Sequence, residues 1–232
     1  MNLRRQSALE LASRLKADGR QCWLFPSFPL LPAVAQAIAG SGLLLGAQDV
    51  SPEEDGAFTG DVSAGQLADA GCSLVLVGHS ERRHGHGERH PLLLRKLKRA
   101  AAEGLKIVYC VGETLAERQA GRAETVTGEQ LGTLQKLDES ERAMIAAVAY
   151  EPVWAIGTGE NATPQQAQEI HAGLRAALQR LGISAPLLYG GSVKPDNARE
   201  LLTQPDVAGV LVGGASLDYE SLAAIDNAAM EA

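Results

Sequence analysis

The segment "AYEPVWAIGTG", residues 149–159, ends an apolar run on a glutamate, follows it at once with Pro152, and then runs through Val153, Trp154, Ala155 and Ile156 to Gly-Thr-Gly. A carboxylate at a strand end, next to an apolar loop with glycine at its far end, has the makings of a general base beneath a cover that excludes water. The plainer reading is a turn that begins with Glu151. Two further kinds of group can complete a site. His79 in "GHSERR" stands one residue past Gly78, where an imidazole can donate or accept a proton near neutral pH. The glycine pairs of "GGSV" and "GGASL" offer backbone amides, free of side-chain bulk, as donors to a phosphate. Taken singly, a Gly-Gly is an ordinary turn and a rim histidine an ordinary structural residue.

What separates these readings is where the elements place the residues. Short apolar runs rich in strand-forming residues fall at 22–25, 43–47, 73–77, 107–111, 145–150, 186–189 and 207–212. Helical spacing fills the intervals. The clearest helix is "TPQQAQEIHAGLRAALQRLG", with Thr163 as its cap, Pro164 in the first turn, Gln166 closing a capping box and Gly182 at its end. Nearly continuous apolar strands between helices predict a parallel sheet, and in such folds ligands bind at the carboxyl ends of the strands. Glu151, His79 and the two glycine pairs all follow strands, so all fall at one end of the sheet.

The chain opens on a helix, "LRRQSALELASRLKADG", with Leu3, Ser7, Leu11 and Leu15 on one face and Ala8 and Ala12 beside them. In a strand–helix repeat the helix follows its strand. Seven strands beginning with a helix are therefore explained by a closed eight-stranded barrel without its first strand, an open doubly wound sheet being the topological alternative. A single domain over residues 1–232 is expected, because no linker or change of composition divides the chain.

Composition excludes several classes. With 232 residues, 45% of them hydrophobic, the chain can bury one large core, and it carries no apolar run long enough for a membrane span. A net charge of −7 gives no general attraction to nucleic acid. Cys22, Cys72 and Cys110 are odd in number and lie in or beside apolar runs, which suits buried thiols of a cytoplasmic protein. The histidines of "RRHGHGERH" (His84, His86, His90) suit a solvated loop better than a metal site, and His171, alone in its helix, is read as structural.

The segments "AYEPVWAIGTG", "GHSERR", "GAFTGDVSAGQLADAG", "YCVGET", "YGGSV" and "LVGGASL" resemble, in this order, those of the triosephosphate isomerase family. The resemblance runs from the first helix to the C-terminus. It implies an α/β (β/α)8 TIM barrel, here without its first β-strand, and interconversion of dihydroxyacetone phosphate and D-glyceraldehyde 3-phosphate with no cofactor and no metal. It implies that Glu151 is the base and His79 the electrophile that polarises the carbonyl. Residues 152–159 become the lid, with hinges at 152–154 and 157–159. Gly157, Ser192, Gly213 and Gly214 become the phosphate-holding positions, Glu81 a carboxylate near the site, and Cys110 a packed thiol. Thr59 falls in a loop that, in the family, reaches a neighbouring subunit, so a homodimer is implied, and the partner molecule is a small triose phosphate rather than nucleic acid or membrane.

One family element has no counterpart: the Asn-X-Lys at the end of the first strand, whose lysine meets the substrate's charge. Its absence leads to the expectation of a gap between the strands at 22–25 and 207–212 and of a slower isomerase. The alternative is a non-catalytic phosphosugar-binding remnant of the same fold. Retention of both Glu151 and His79 favours the enzyme.

Overall fold

The computed structural model describes residues 1–17, 19–156 and 162–230. Seven strands lie in one parallel sheet: β1 (Trp23–Leu24), β2 (Leu44–Ala47), β3 (Leu74–Val77), β4 (Lys106–Val111), β5 (Ile145–Tyr150), β6 (Leu187–Tyr189) and β7 (Gly209–Val210). Their order in the sheet is their order in the chain. The helices are α1 (Arg5–Arg14), α2 (Leu31–Ala37), α3 (Ala64–Asp69), α4 (Ser80–Gly85), α5 (His90–Ala102), α6 (Leu115–Gln119), α7 (Ala123–Leu131), α8 (Glu139–Arg142), α9 (Pro164–Arg180), α10 (Ala198–Leu202) and α11 (Tyr219–Met230).

Alternation along each strand builds two cores. Val75, Val77, Ile107, Tyr109, Val148 and Tyr150 pack with the helices, whereas Leu74, Leu76, Val108, Cys110, Ala147 and Ala149 pack with one another and with Trp23, Phe25, Leu188 and Leu211. The second set comes from strands and their ends, as expected for the interior of a curled sheet. The small Ala147 and Ala149 leave room there for the larger Trp23 and Phe25. The β4–β5 register slips between Ile107 and Val108, where Ala146 is passed over, a local irregularity of the kind that bends a strand.

The edges of the sheet are its thinnest part. β1 and β7 form two residues of ladder each, less than the four and six residues of the apolar runs that contain them, and both strands are only half-buried. Among the described residues no pairing joins β7 to β1. The gap expected between them is therefore present, and the buried Trp23 indole Nε1 has no hydrogen-bond partner among the described residues.

Two helices test the sequence reading in different ways. α9 begins at Pro164 after the Thr163 cap, with the box to Gln166 made in both directions, and Gly182 follows in a left-handed conformation. α1 buries Ala8 and Ala12, while Leu3 and Leu15 lie outside the helix and only edge the core and Ser7 is exposed. The buried stripe is thus the alanine pair rather than the expected leucine face. Small residues let this helix lie close against its neighbours, and Ser7 instead exchanges hydrogen bonds with the backbone of Arg4. No described helix is long and apolar enough to cross a membrane.

Candidate active site

β5 delivers Glu151 to the carboxyl end of the sheet, where its side chain is buried. β3 ends three residues before Ser80, and Gly78, at φ 80°, makes the turn into α4. His79 is the N-cap of that helix, and its Nδ1 accepts the amide of Glu81 at 3.3 Å. With Nδ1 occupied as an acceptor, the ring proton resides on Nε2, which lies 2.9 Å from Oε1 of Glu151. The first-turn amides of a helix have no partner within it. That of Ser80 donates to Oε2 of Glu151 at 2.9 Å, and the Ser80 hydroxyl donates to Oε1 at 3.2 Å. A buried carboxylate is costly to desolvate, and three donors offset that cost.

The His79 pKa is raised above the ordinary histidine range. Burial opposes charge on the ring, but the hydrogen bond and charge of Glu151, with the charge of Glu81, outweigh it. Cys110, fully buried beside this pair, has its thiol pushed far up, first by burial and then by Glu151. It stays protonated and packs, as expected for a thiol of this kind.

Past Glu151, residues 152–156 include a short 3-10 turn, Val153–Ala155. This segment hangs from a fully buried carboxylate, Glu113. Oε1 of Glu113 accepts from the Trp154 indole at 2.9 Å, from the Tyr150 hydroxyl at 3.0 Å and from Arg118 at 3.2 Å. The Arg118 guanidinium also lies over the Trp154 ring, 5.0 Å from its centroid. Gly157 and the expected hinge at 157–159 lie outside the described residues.

The glycine pairs serve two purposes. At Gly190 a Cβ would press on the side chain of Glu151, and at Gly191 it would collide with the Tyr189 hydroxyl and Pro152, so this pair lets β6 close against the base. Gly213 and Gly214 have open space instead among the described residues. Gly213 caps a 3-10 turn, Gly214–Leu217, and among the described residues the amides of Ser192, Gly213 and Gly214 donate to no protein acceptor. Thr59 is exposed beside the half-exposed Phe58, in a loop tied at its base by Ser51, whose amide donates to Val62 and whose hydroxyl donates to Asp61.

The histidine-rich stretch divides. His84 and His86 are exposed, and His90 meets the Thr133 hydroxyl at 2.9 Å. Arg83 and Glu88 turn inward, however, and Glu88 shares a buried cluster with Lys96, Arg82 and Asp49. His171 is fully buried against Tyr150, its Nδ1 on the Asp206 carbonyl.

Sequence reasoning missed Ser80, which holds the Glu151 carboxylate, and Glu113, which holds the segment after it. Ser80 acts largely through its amide, which no residue type reveals. Glu113 was within reach: it is a second carboxylate just past a strand, in "YCVGET".

A parallel strand–helix sheet of the TIM-barrel class here brings a carboxylate and an imidazole together at the carboxyl ends of its strands, groups of the kinds that acid–base catalysis uses. The triosephosphate isomerase family profile matches residues 1–229. A triosephosphate isomerase of Halorhodospira halophila (strain DSM 244 / SL1) is 51% identical over 211 residues, covering 89% of this chain and 84% of that protein. Those of Stenotrophomonas maltophilia (strain K279a) and Xanthomonas euvesicatoria pv. vesicatoria (strain 85-10) are each 48% identical over 224 residues, covering 95% of this chain and 89% of theirs. The chain belongs to the triosephosphate isomerase family.

Proposed function

We propose that this chain interconverts dihydroxyacetone phosphate and D-glyceraldehyde 3-phosphate, with Glu151 as the base and His79 as the proton donor to the substrate oxygen. The observation that carries the assignment is the 2.9 Å contact of His79 Nε2 with the Glu151 carboxylate. In that pose no substrate fits between them, so binding must part the two groups, the carboxylate leaving Ser80 for the substrate's carbon and the Nε2 proton turning to the carbonyl oxygen. Removal of a proton beside a carbonyl needs both acts together, since a donor aimed at the developing oxyanion lowers the cost of the enediolate. Proton transfer from one carbon to the next then needs only the same carboxylate, and movement of the proton between the two oxygens only the same imidazole.

Ser192, Gly213 and Gly214, with Gly157, are the positions we assign to the substrate phosphate, supported by the uncommitted amides and open space at the last two strand ends. Val153, Trp154, Ala155 and Ile156 supply an apolar cover that keeps the enediolate from water. Catalysis by these groups calls for no cofactor and no metal. We further assign the protein to the cytoplasm as a homodimer, joined through the loop of Phe58 and Thr59. The free thiols of Cys22, Cys72 and Cys110 and the exposed Phe58 support this.

Substitution Glu151→Gln tests the assignment. It keeps the shape and one acceptor but not the base, so turnover and exchange of substrate carbon-bound hydrogen in heavy water should fall about a hundredfold or more in a folded protein. Undiminished exchange would show that the base lies elsewhere.

A further inference from the structure

We infer that Gln130, on α7, is a positioning residue for the base Glu151, an inference that rests on the assignment of Glu151 above. The β3–β4 ladder stops at Val77–Tyr109, because Gly78 turns away into α4. Beyond that point one side of β4 has no strand beside it. Two side chains take the place of the missing strand. Arg83 Nη2 donates to the Cys110 carbonyl at 2.8 Å. Gln130 then holds both polar groups of Gly112: its Oε1 accepts the Gly112 amide at 2.8 Å, and its Nε2 donates to the Gly112 carbonyl at 2.9 Å.

The opposite side of the same segment carries the base. The Glu151 amide donates to the Val111 carbonyl at 2.7 Å, and the Val153 amide to the Glu113 carbonyl at 3.0 Å. Gly112 lies between those two acceptors, and a Cβ on it would fall on the Glu151 carbonyl oxygen. Residues 111–113 are thus a single strip, held by Gln130 on one side and holding Glu151 on the other. The histidine is joined to the same residue. The Tyr109 hydroxyl donates to the Gln130 carbonyl at 2.9 Å and accepts from Arg83 Nη2 at 3.2 Å, while Arg83 Nε donates to the carbonyl of Gly78, the residue before His79. Gln130, Tyr109 and Arg83 are all buried, so none of these contacts is readily replaced by water. Proton transfer tolerates little displacement of the base from the reacting carbon. The amide of Gln130 therefore sets the distance across which Glu151 works, without touching substrate.

Two substitutions read this out. Gln130→Met keeps the length and removes both hydrogen bonds. With triose phosphate as substrate, kcat should fall about tenfold or more while KM stays within about twofold, because misplacing the base slows chemistry and leaves the phosphate contacts alone. In Gln130→Glu the protonated carboxyl can both accept from and donate to Gly112 as the amide does, but the carboxylate cannot donate. Its kcat should therefore show an extra loss as pH rises, absent from the unsubstituted protein, and this profile decides the matter should Gln130→Met fail to fold. A Gln130→Met loss confined to KM, or a Gln130→Glu profile that overlays the original, overturns the inference. Glu151→Gln is measured alongside. If that variant turns over undiminished, the assignment of the base has failed; if it is inactive and Gln130→Glu is unaltered, only the role of Gln130 has.

Discussion

The indole Nε1 of Trp154 donates to Oε1 of Glu113, so the 3-10 turn that follows Glu151 hangs from a carboxylate with no solvent exposure. The same oxygen receives Tyr150 from β5 and Arg118 from α6. Strand, 3-10 turn and helix therefore meet at one atom.

Glu113→Gln removes that charge but keeps an acceptor. Hydrogen bonds to a charged group are worth more than those between neutral groups, and Arg118 is left without its counter-charge. A loss of about 2 kcal/mol in unfolding free energy is expected from urea titration. Trp154→Phe, which removes one of the three donors and leaves the charge paired, should lose about 1 kcal/mol.

His171 makes acid stability a readout of its own burial. Burial holds its ring at a pKa of about 4, against the weaker opposing pull of the Asp206 carbonyl and carboxylate. Its folded pKa is depressed, so the unfolded chain takes up the proton first as pH falls. Stability is then full above the unfolded value near 6.5 and declines until the folded ring itself titrates, a total of about 3 kcal/mol. Urea midpoints measured from pH 7 to pH 4 should fall less steeply in His171→Asn than in the unsubstituted protein. Parallel slopes would assign the acid sensitivity to other groups.

The two kinds of glycine should respond oppositely to alanine. Gly112→Ala drives a methyl group into the Glu151 carbonyl, so the strip that carries the base must shift, and kcat should fall about a hundredfold with a clear loss of thermal stability. Gly214→Ala meets open space at the start of a 3-10 turn, so stability should be unchanged. Crowding of the proposed phosphate position should then raise KM with little change in kcat. Steady-state kinetics with paired thermal melts separates the two.

The parts of the site legible in the sequence are those in which residue type and strand end coincide. Glu151 and His79 stand out in the sequence because each follows an apolar run, and the structure sets them 2.9 Å apart. The supports were hidden because they work through backbone groups. Nothing in the letters around Gln130 says that its side chain will bind both polar groups of a glycine 18 positions away. For α1, spacing pointed to a leucine face, yet close packing selected Ala8 and Ala12. The apolar runs at 22–25 and 207–212 overstated the edge strands, because hydrophobicity marks what can be buried, whereas a ladder also needs a neighbour on each side.

Strand order that follows chain order also governs when the site comes into being. Each strand pairs with the one made just before it, across a helical crossover, so even neighbouring strands meet residues as far apart as Val148 and Leu187, the non-local pairing that makes a parallel sheet slow to assemble. The bond from the Ser80 amide to the Glu151 carboxylate spans more chain still, 71 positions. As the chain emerges, β3 and α4 can present His79 and the Ser80 amide before any carboxylate exists to meet them. β4 must then be in place to receive the Glu151 amide. A nascent chain ending before β5 would therefore hold half of the proposed proton-transfer site on an unfinished sheet, completed only when the fifth strand closes on the fourth.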